Sequence, residues 1–156
     1  MAKTFSSGEV LTASDVNSYL NNYRPEIVSP AETTTISATA ATGTINLDLA
    51  NQSVTYYTTN ASANWTVNLR GNSITTLNSF LALNDSITHV FLVTTGATAY
   101  YPTAFQIDGV SVTPEWQGGV APTSGNASSI DAYAFTVIKT ASTPTYLVLA
   151  SQTQFK

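Results

Sequence analysis

The chain has 156 residues and a formal net charge of −4, and only 9% of its residues are charged, against about 25% in an average soluble domain. Its five basic residues are scattered along the sequence, whereas nucleic-acid binding needs clustered cations. We therefore expect no nucleic-acid partner. Because apolar runs of the roughly 18 residues that span a membrane are absent, and no secretory leader is recognisable, we also expect no membrane association.

The composition predicts an all-β protein. Threonine, serine and asparagine contribute 26, 17 and 12 residues. Threonine favours strands because it is β-branched, and serine and asparagine favour turns. Cysteine is absent, which excludes disulfides and thiolate metal sites. We expect neither a metal nor a cofactor.

The first 24 residues predict an N-terminal arm with one α-helix. Thr12-Ala13-Ser14-Asp15 resembles a capping box, and Pro25 disfavours helical backbone at the residue before it. The apolar residues of the helix lie at i, i+3, i+4 and i+7: Val16, Tyr19, Leu20 and Tyr23. This face must pack on something, because so short a helix is marginal alone. Its partner is either the chain's own β-domain or another chain, and we predict that it anchors the protein to its assembly.

Residues 25–43, rich in proline, threonine and alanine, predict a linker. The chain is thus expected to consist of an arm, helix and linker (1–42) and a β-domain (43–156). Within 43–156, period-2 alternation and β-forming residues predict strands at 45–49, 53–59, 65–70, 86–95, 105–107, 110–112, 130–140 and 146–150, with a short helix or a further strand at 75–83. The Asp108-Gly109 pair predicts a hairpin turn.

Short strands separated by turn residues predict an antiparallel β-sandwich or jelly roll. The segments 86–95 and 130–140 are apolar on both sides, which is typical of central strands. Because a monomeric sandwich would leave part of this surface exposed, the pattern also predicts a homo-oligomer.

Candidate catalytic residues are few. His89 is the only histidine, and it lies in the middle of a predicted strand, which favours a structural role. Glu115 and Asp131 flank a loop that carries Trp116. Two acids are the minimum for a glycosidase, and a tryptophan could stack on a sugar without hydrolysis. The structural alternative is that Asp131 caps a strand entry and Trp116 packs beneath a loop; we therefore expect no enzyme.

Two stretches resemble structural proteins of tailed bacteriophages. The first is Phe5–Asn17 (FSSGEVLTASDVN), continuing to Tyr19-Leu20-Asn21-Asn22. The second comprises Ile107-Asp108-Gly109, Trp116-Gln117-Gly118-Gly119, Pro122, Gly125, Ile130-Asp131, Tyr133, Phe135, Ile138-Lys139, Tyr146, Val148-Leu149, Ser151 and Phe155. The first is similar to the opening of fibre-like and accessory tail or neck proteins. The second is similar to a β-domain of marine and cyanobacterial phage structural proteins.

The resemblance implies a fibre, neck, collar or capsid-decoration role in the virion, often as a homotrimer, with other virion proteins as partners. The chain has no repetitive shaft and no coiled-coil heptads, so we expect a compact tail, neck or fibre-type appendage on a short arm, assembled in the host cytoplasm. Two alternatives stay open: a capsid decoration (cement) protein, and a module that binds a host-surface carbohydrate.

Overall fold

The computed structural model describes residues 8, 10, 12–14 and 31–156. The chain divides into two units, 1–31 and 32–156. Ala13 and Ser14 are helical, but the predicted anchoring residues Val16, Tyr19, Leu20 and Tyr23 lie outside the described residues. The account below concerns the second unit.

The unit 32–156 is all-β, as predicted. Its strands are β1 (Thr34–Ala40), β2 (Gly43–Asp48), β3 (Val54–Thr59), β4 (Trp65–Arg70), β5 (Ser86–Thr94), β6 (Pro102–Ile107), β7 (Val110–Ser111), β8 (Glu115–Trp116), β9 (Ile130–Ala141) and β10 (Thr145–Phe155). One helical turn, α1 (Leu77–Phe80), precedes β5, and a 3-10 turn (Gln117–Gly119) follows β8. The ambiguous segment 75–83 is thus a short helix.

The strands form two mixed sheets. One has six strands in the order β1-β3-β5-β9-β10-β8, and the other has four in the order β2-β4-β6-β7. The first six strands alternate between the sheets, so that β1, β3 and β5 are parallel neighbours in one sheet and β2, β4 and β6 in the other. The hairpin β9–β10 then adds to β5 in antiparallel fashion.

The predicted antiparallel sandwich or jelly roll is not confirmed. Alternation of apolar and polar residues shows which face of a strand is buried, but it carries no information on the direction of the neighbouring strand. The number of residues between successive parallel strands of the six-stranded sheet also varies: Thr34 pairs with Val54, and Val54 with Val90. The Asp108-Gly109 hairpin is confirmed between β6 and β7, with φ angles of 51° and 81°.

The β-structure begins earlier than predicted. Strand β1 lies inside the segment 25–43 that we expected to be a linker, and it pairs with β3. Its only large apolar side chain, Ile36, is 69% exposed, so the strand has almost no hydrophobic signal. Main-chain pairing holds it instead, assisted by the Thr59 hydroxyl, which donates to the Ala38 carbonyl at 2.6 Å.

The core lies between the two sheets. The inward-facing residues of the four-stranded sheet include Leu47, Trp65 and Leu69, and those of the six-stranded sheet include Phe91 and Tyr133, all at most 1% exposed. The Trp65 ring packs edge-on against Phe91 and Tyr133, with centroid distances of 6.1 and 6.0 Å. Edge-to-face pairs of this kind stabilise a core beyond the area they bury.

Candidate functional site

Trp116 closes one end of this core. On β8, it is the register neighbour of Ala150 in β10, whose side chain is buried. The Trp116 ring contacts Phe105 of the four-stranded sheet at a centroid distance of 5.4 Å, and Phe105 in turn contacts Phe135 of the six-stranded sheet at 6.0 Å. The tryptophan is therefore half-buried. It lies on strand β8, not on the loop that the sequence predicts, and it packs against the four-stranded sheet.

Three open grooves border Trp116. Their volumes are about 370, 550 and 480 Å³. Besides Trp116, the polar side chains that line them include Glu115, Gln117, Thr136 and Gln152. A partly exposed indole beside amide and carboxylate groups can stack on a sugar ring and bind its hydroxyls. These grooves are therefore a candidate ligand-binding surface.

Glu115 lies on the outer face of the six-stranded sheet. It is exposed, and it is the register neighbour of Leu149 in β10, which is 44% exposed. Opposite residues of paired strands point to the same side of a sheet. The carboxylate of Glu115 therefore points away from the core.

Asp131 has the opposite environment. It is fully buried, and its carboxylate accepts hydrogen bonds from the Asn126 backbone N–H at 2.9 Å, the Asn126 Nδ2 at 2.7 Å and the Gln152 Nε2 at 3.2 Å. Longer contacts join it to the hydroxyls of Ser129 and Tyr133 at 3.4 and 3.5 Å. Burial, with the nearby carboxylate, raises the pKa of Tyr133 above its usual value. Asp131 thus orders the loop that enters β9, as the strand-capping interpretation expected.

The structure does not bring Glu115 and Asp131 together. Their register neighbours in β10, Leu149 and Gln154, are five residues apart, which is roughly 16 Å along a strand at about 3.3 Å per residue. The two carboxylates also lie on opposite faces of the sheet. Glycosidase carboxylates are separated by only about 5 to 9.5 Å, so these two acids do not form a hydrolytic pair.

His89 is buried within the six-stranded sheet. Its Nδ1 lies 3.1 Å from the Gln52 carbonyl oxygen, and its Nε2 lies 3.1 Å from the Thr55 hydroxyl. Because a carbonyl only accepts, Nδ1 carries the proton and Nε2 accepts from Thr55. Burial lowers the pKa of His89, with the backbone hydrogen bond acting in the opposite direction. Both ring nitrogens are therefore used within the fold.

The sequence did not reveal that two charged side chains cap the two ends of α1, an arrangement called the bracket below. At the helix N-terminus, the Asp108 carboxylate accepts from the backbone N–H groups of Leu77 and Asn78 at 2.8 and 3.2 Å. At its C-terminus, the Lys139 ammonium donates to the carbonyls of Asn78 and Leu81 at 2.8 and 2.9 Å. An acid at the start and a base at the end of a helix complement its unpaired backbone groups. The two side chains come from different sheets, so they also tie those sheets together.

One sequence signal could have identified this bracket. Lys139 occupies an inward-facing position in the alternation of β9 and is only 8% exposed, and a lysine there must find acceptors. We assigned Asp108 only to its Asp-Gly turn, although its carboxylate also caps a helix far away in sequence. A cavity of about 330 Å³ lies beside it, lined in part by Val110 and Tyr146.

Within the described residues, no group of three or more histidine, cysteine, aspartate or glutamate side chains is placed to hold a metal ion. None of the helices in the described part of the chain is long and apolar enough to cross a membrane. Comparison with protein-family models, curated proteins and solved structures found no match to the chain.

Proposed function

We propose that this chain is a non-enzymatic structural module of a tailed-bacteriophage particle. It is a small tail, neck or fibre-type appendage that docks through its N-terminal arm on other virion proteins and forms a homotrimer. The resemblance of residues 5–22 and 107–155 to phage structural proteins supports the virion assignment. A capsid-decoration role uses the same arm and the same β-unit, and differs only in the attachment site.

The separation of the candidate catalytic groups carries the non-enzymatic part of the proposal. Asp131 is occupied by neutral hydrogen-bond donors, both nitrogens of His89 are used within the sheet, and Glu115 points outward on the other side of the sheet from Asp131. Catalysis requires acid and base groups that converge on one substrate. Asp131 and His89 each have a sufficient structural role where they lie.

Particle incorporation tests the proposal. Antibodies against the chain should label purified particles of the phage that encodes it, and cryo-electron microscopy should place its density on the tail, neck or fibre. The double substitution Tyr19→Ser with Leu20→Ser should abolish incorporation and leave the melting temperature of the β-unit within a few degrees of wild type. Glu115→Gln, on the exposed outer face, is the control that should still be incorporated. Particles that lack the wild-type chain would refute the virion assignment.

Glycan binding is a second candidate function, because three grooves meet at the half-exposed Trp116. A glycan array probed with the intact chain tests it. Binding that is lost in Glu115→Gln or Gln117→Ala, both exposed positions, would assign recognition to these grooves. Particle association with no glycan bound would leave the structural role alone.

A further inference from the structure

The two sheets have outer faces of different chemistry. The outer face of the four-stranded sheet is polar. Asn46, Asn68 and Gln106 are register neighbours across it, and the Asn68 Nδ2 donates to the Asn46 Oδ1 at 2.7 Å. Next to them, Asp48 and Arg70 form an ion pair with an Nε–Oδ1 distance of 2.5 Å. This face is well suited to water.

The outer face of the six-stranded sheet combines apolar side chains with hydroxyl groups. The register of the three central strands pairs Val90 and Leu92 with Ala134 and Ala132. It pairs Leu147 and Leu149 with Ile138 and Thr136. Leu147 and Leu149 are 38% and 44% exposed. Neighbouring strands flank these side chains within the sheet, but no further layer among the described residues covers the outer face. The side chains therefore stay exposed.

Charge is nearly absent from this face. Among the described strand residues that point outward here, only Glu115 is charged, and it lies at the β8 edge. The other charged residues of the long strands, Asp131 and Lys139, point into the core. An acidic or basic partner would find nothing to pair with on this surface. A second copy of the same face meets it without like-charge repulsion.

The size of the face matches an interface between copies. Strands β5, β9 and β10 have 9, 12 and 11 residues. With about 3.3 Å per residue and about 4.8 Å between strands, these three strands alone give a footprint of about 500 Å². Two such faces in contact would bury at least about 1,000 Å², which is about the minimum for a biological interface.

We propose that the outer face of the six-stranded sheet is the surface through which copies of this chain meet. The inference rests on the homo-oligomer of the proposed function, and it assigns the contact to one face. In the homotrimer, this face of each copy would point toward the three-fold axis and contact the same face of both neighbours. Leu147 and Leu149 of one copy would then lie among the apolar residues of its neighbour. The polar face of the four-stranded sheet stays in water.

Leu149→Lys tests this assignment in the full chain. The new lysine is opposite Glu115, so the isolated fold tolerates it, but association would have to remove water from the new charge. Burying such a charge costs enough to weaken association at least about 100-fold. Sedimentation velocity at micromolar concentration should show the wild type as an oligomer and Leu149→Lys as a monomer of 16.5 kDa. Thr66→Lys, which introduces the same side chain on the outer face of the four-stranded sheet, should remain oligomeric.

The possible results of these measurements distinguish the homo-oligomer from the interface assigned to it. A wild-type chain that is monomeric would refute both the homo-oligomer and its interface. An oligomeric wild type whose Leu149→Lys and Leu147→Lys variants stay oligomeric would refute the interface alone, and the homo-oligomer would stand. Circular dichroism separates dissociation from unfolding, since the dissociated variants should keep the wild-type β-signal. If Leu149→Lys unfolds, the more peripheral Leu147→Lys decides.

Discussion

Replacement of Asp131 by asparagine tests whether this acid organises the fold. The carboxylate is fully buried. One of its oxygens accepts from the Asn126 Nδ2, and the other accepts from the Asn126 backbone N–H and the Gln152 Nε2. Asparagine keeps one acceptor oxygen and replaces the other with an NH₂ group. In the better of its two orientations, that NH₂ faces the Asn126 amide, so that two donors meet where a hydrogen bond existed.

The expected cost follows from the lost contacts. A hydrogen bond to a charged group contributes about 1.5 to 3 kcal/mol, and the Asn126 amide is left without an acceptor. The neutral amide is easier to bury than a carboxylate, which offsets part of this loss. We expect Asp131→Asn to lower the free energy of unfolding by about 2 to 3 kcal/mol. For a unit of this size, the melting temperature would fall by about 10 °C.

Thermal unfolding followed by circular dichroism measures this difference. Glu115→Gln is the matched control, because the same change at an exposed position should alter stability by no more than about 0.5 kcal/mol. If the two variants melt together, within about 2 °C, the hydrogen bonds of Asp131 do not stabilise the fold. If Asp131→Asn abolishes a polysaccharide-degrading activity while the melting temperature stays unchanged, the acid is catalytic and the structural role is wrong.

Three further predictions concern charged and titratable groups. Because burial lowers the pKa of His89, the unfolded chain binds the proton more readily than the folded chain. The free energy of unfolding should therefore decline as pH falls below about 6.5. In urea titrations from pH 7.5 to 4.5, His89→Gln should remove that part of the pH dependence. Lys139→Met should cost about 2 to 4 kcal/mol in urea unfolding, because two carbonyls lose their donor, whereas the exposed Lys156→Met should cost almost nothing. Arg70→Met should cost at most about 1 kcal/mol, and less in 1 M salt; a loss as large as that of Lys139→Met would contradict the ranking.

The strands themselves were largely predictable, because alternation of apolar and polar residues marks a half-buried strand. Trp65–Arg70 is an example: its apolar residues are buried and Arg70 is half-exposed. The central position of 86–95 and 130–140 was also predicted, from apolar residues on both of their sides, and these segments are β5 and β9 in the middle of the six-stranded sheet. Strand β1 was not, because it buries almost no side chain and is held by its backbone.

The candidate site was only partly predictable. Trp116 was identified as a possible ligand residue on a loop; it lies on the short strand β8 and borders three grooves. The proximity of Glu115 and Asp131 could not be judged from the sequence, because it depends on which strands are neighbours and on which face each residue lies. For the same reason, the contacts of Asp108 and Lys139 with α1 could not be predicted, because only the fold brings these residues close to the helix.

The parallel register left a trace in the sequence, and it bears on the scarcity of charge. Residues 44–47 read Thr-Ile-Asn-Leu and residues 66–69 read Thr-Val-Asn-Leu, and the two segments pair residue by residue in β2 and β4. In such a pair, similar residues face one another across about 4.8 Å, so a repeated charge would meet its own kind and repel it. Asparagine avoids this because its amide both donates and accepts, as the Asn68–Asn46 hydrogen bond does. Charge is present in this pair only where the two segments differ in sign, at Asp48 and Arg70. A fold in which similar segments pair in parallel thus favours threonine and asparagine over lysine and glutamate on its solvent-facing side. This preference accounts for part of the low fraction of charged residues, which is 9%.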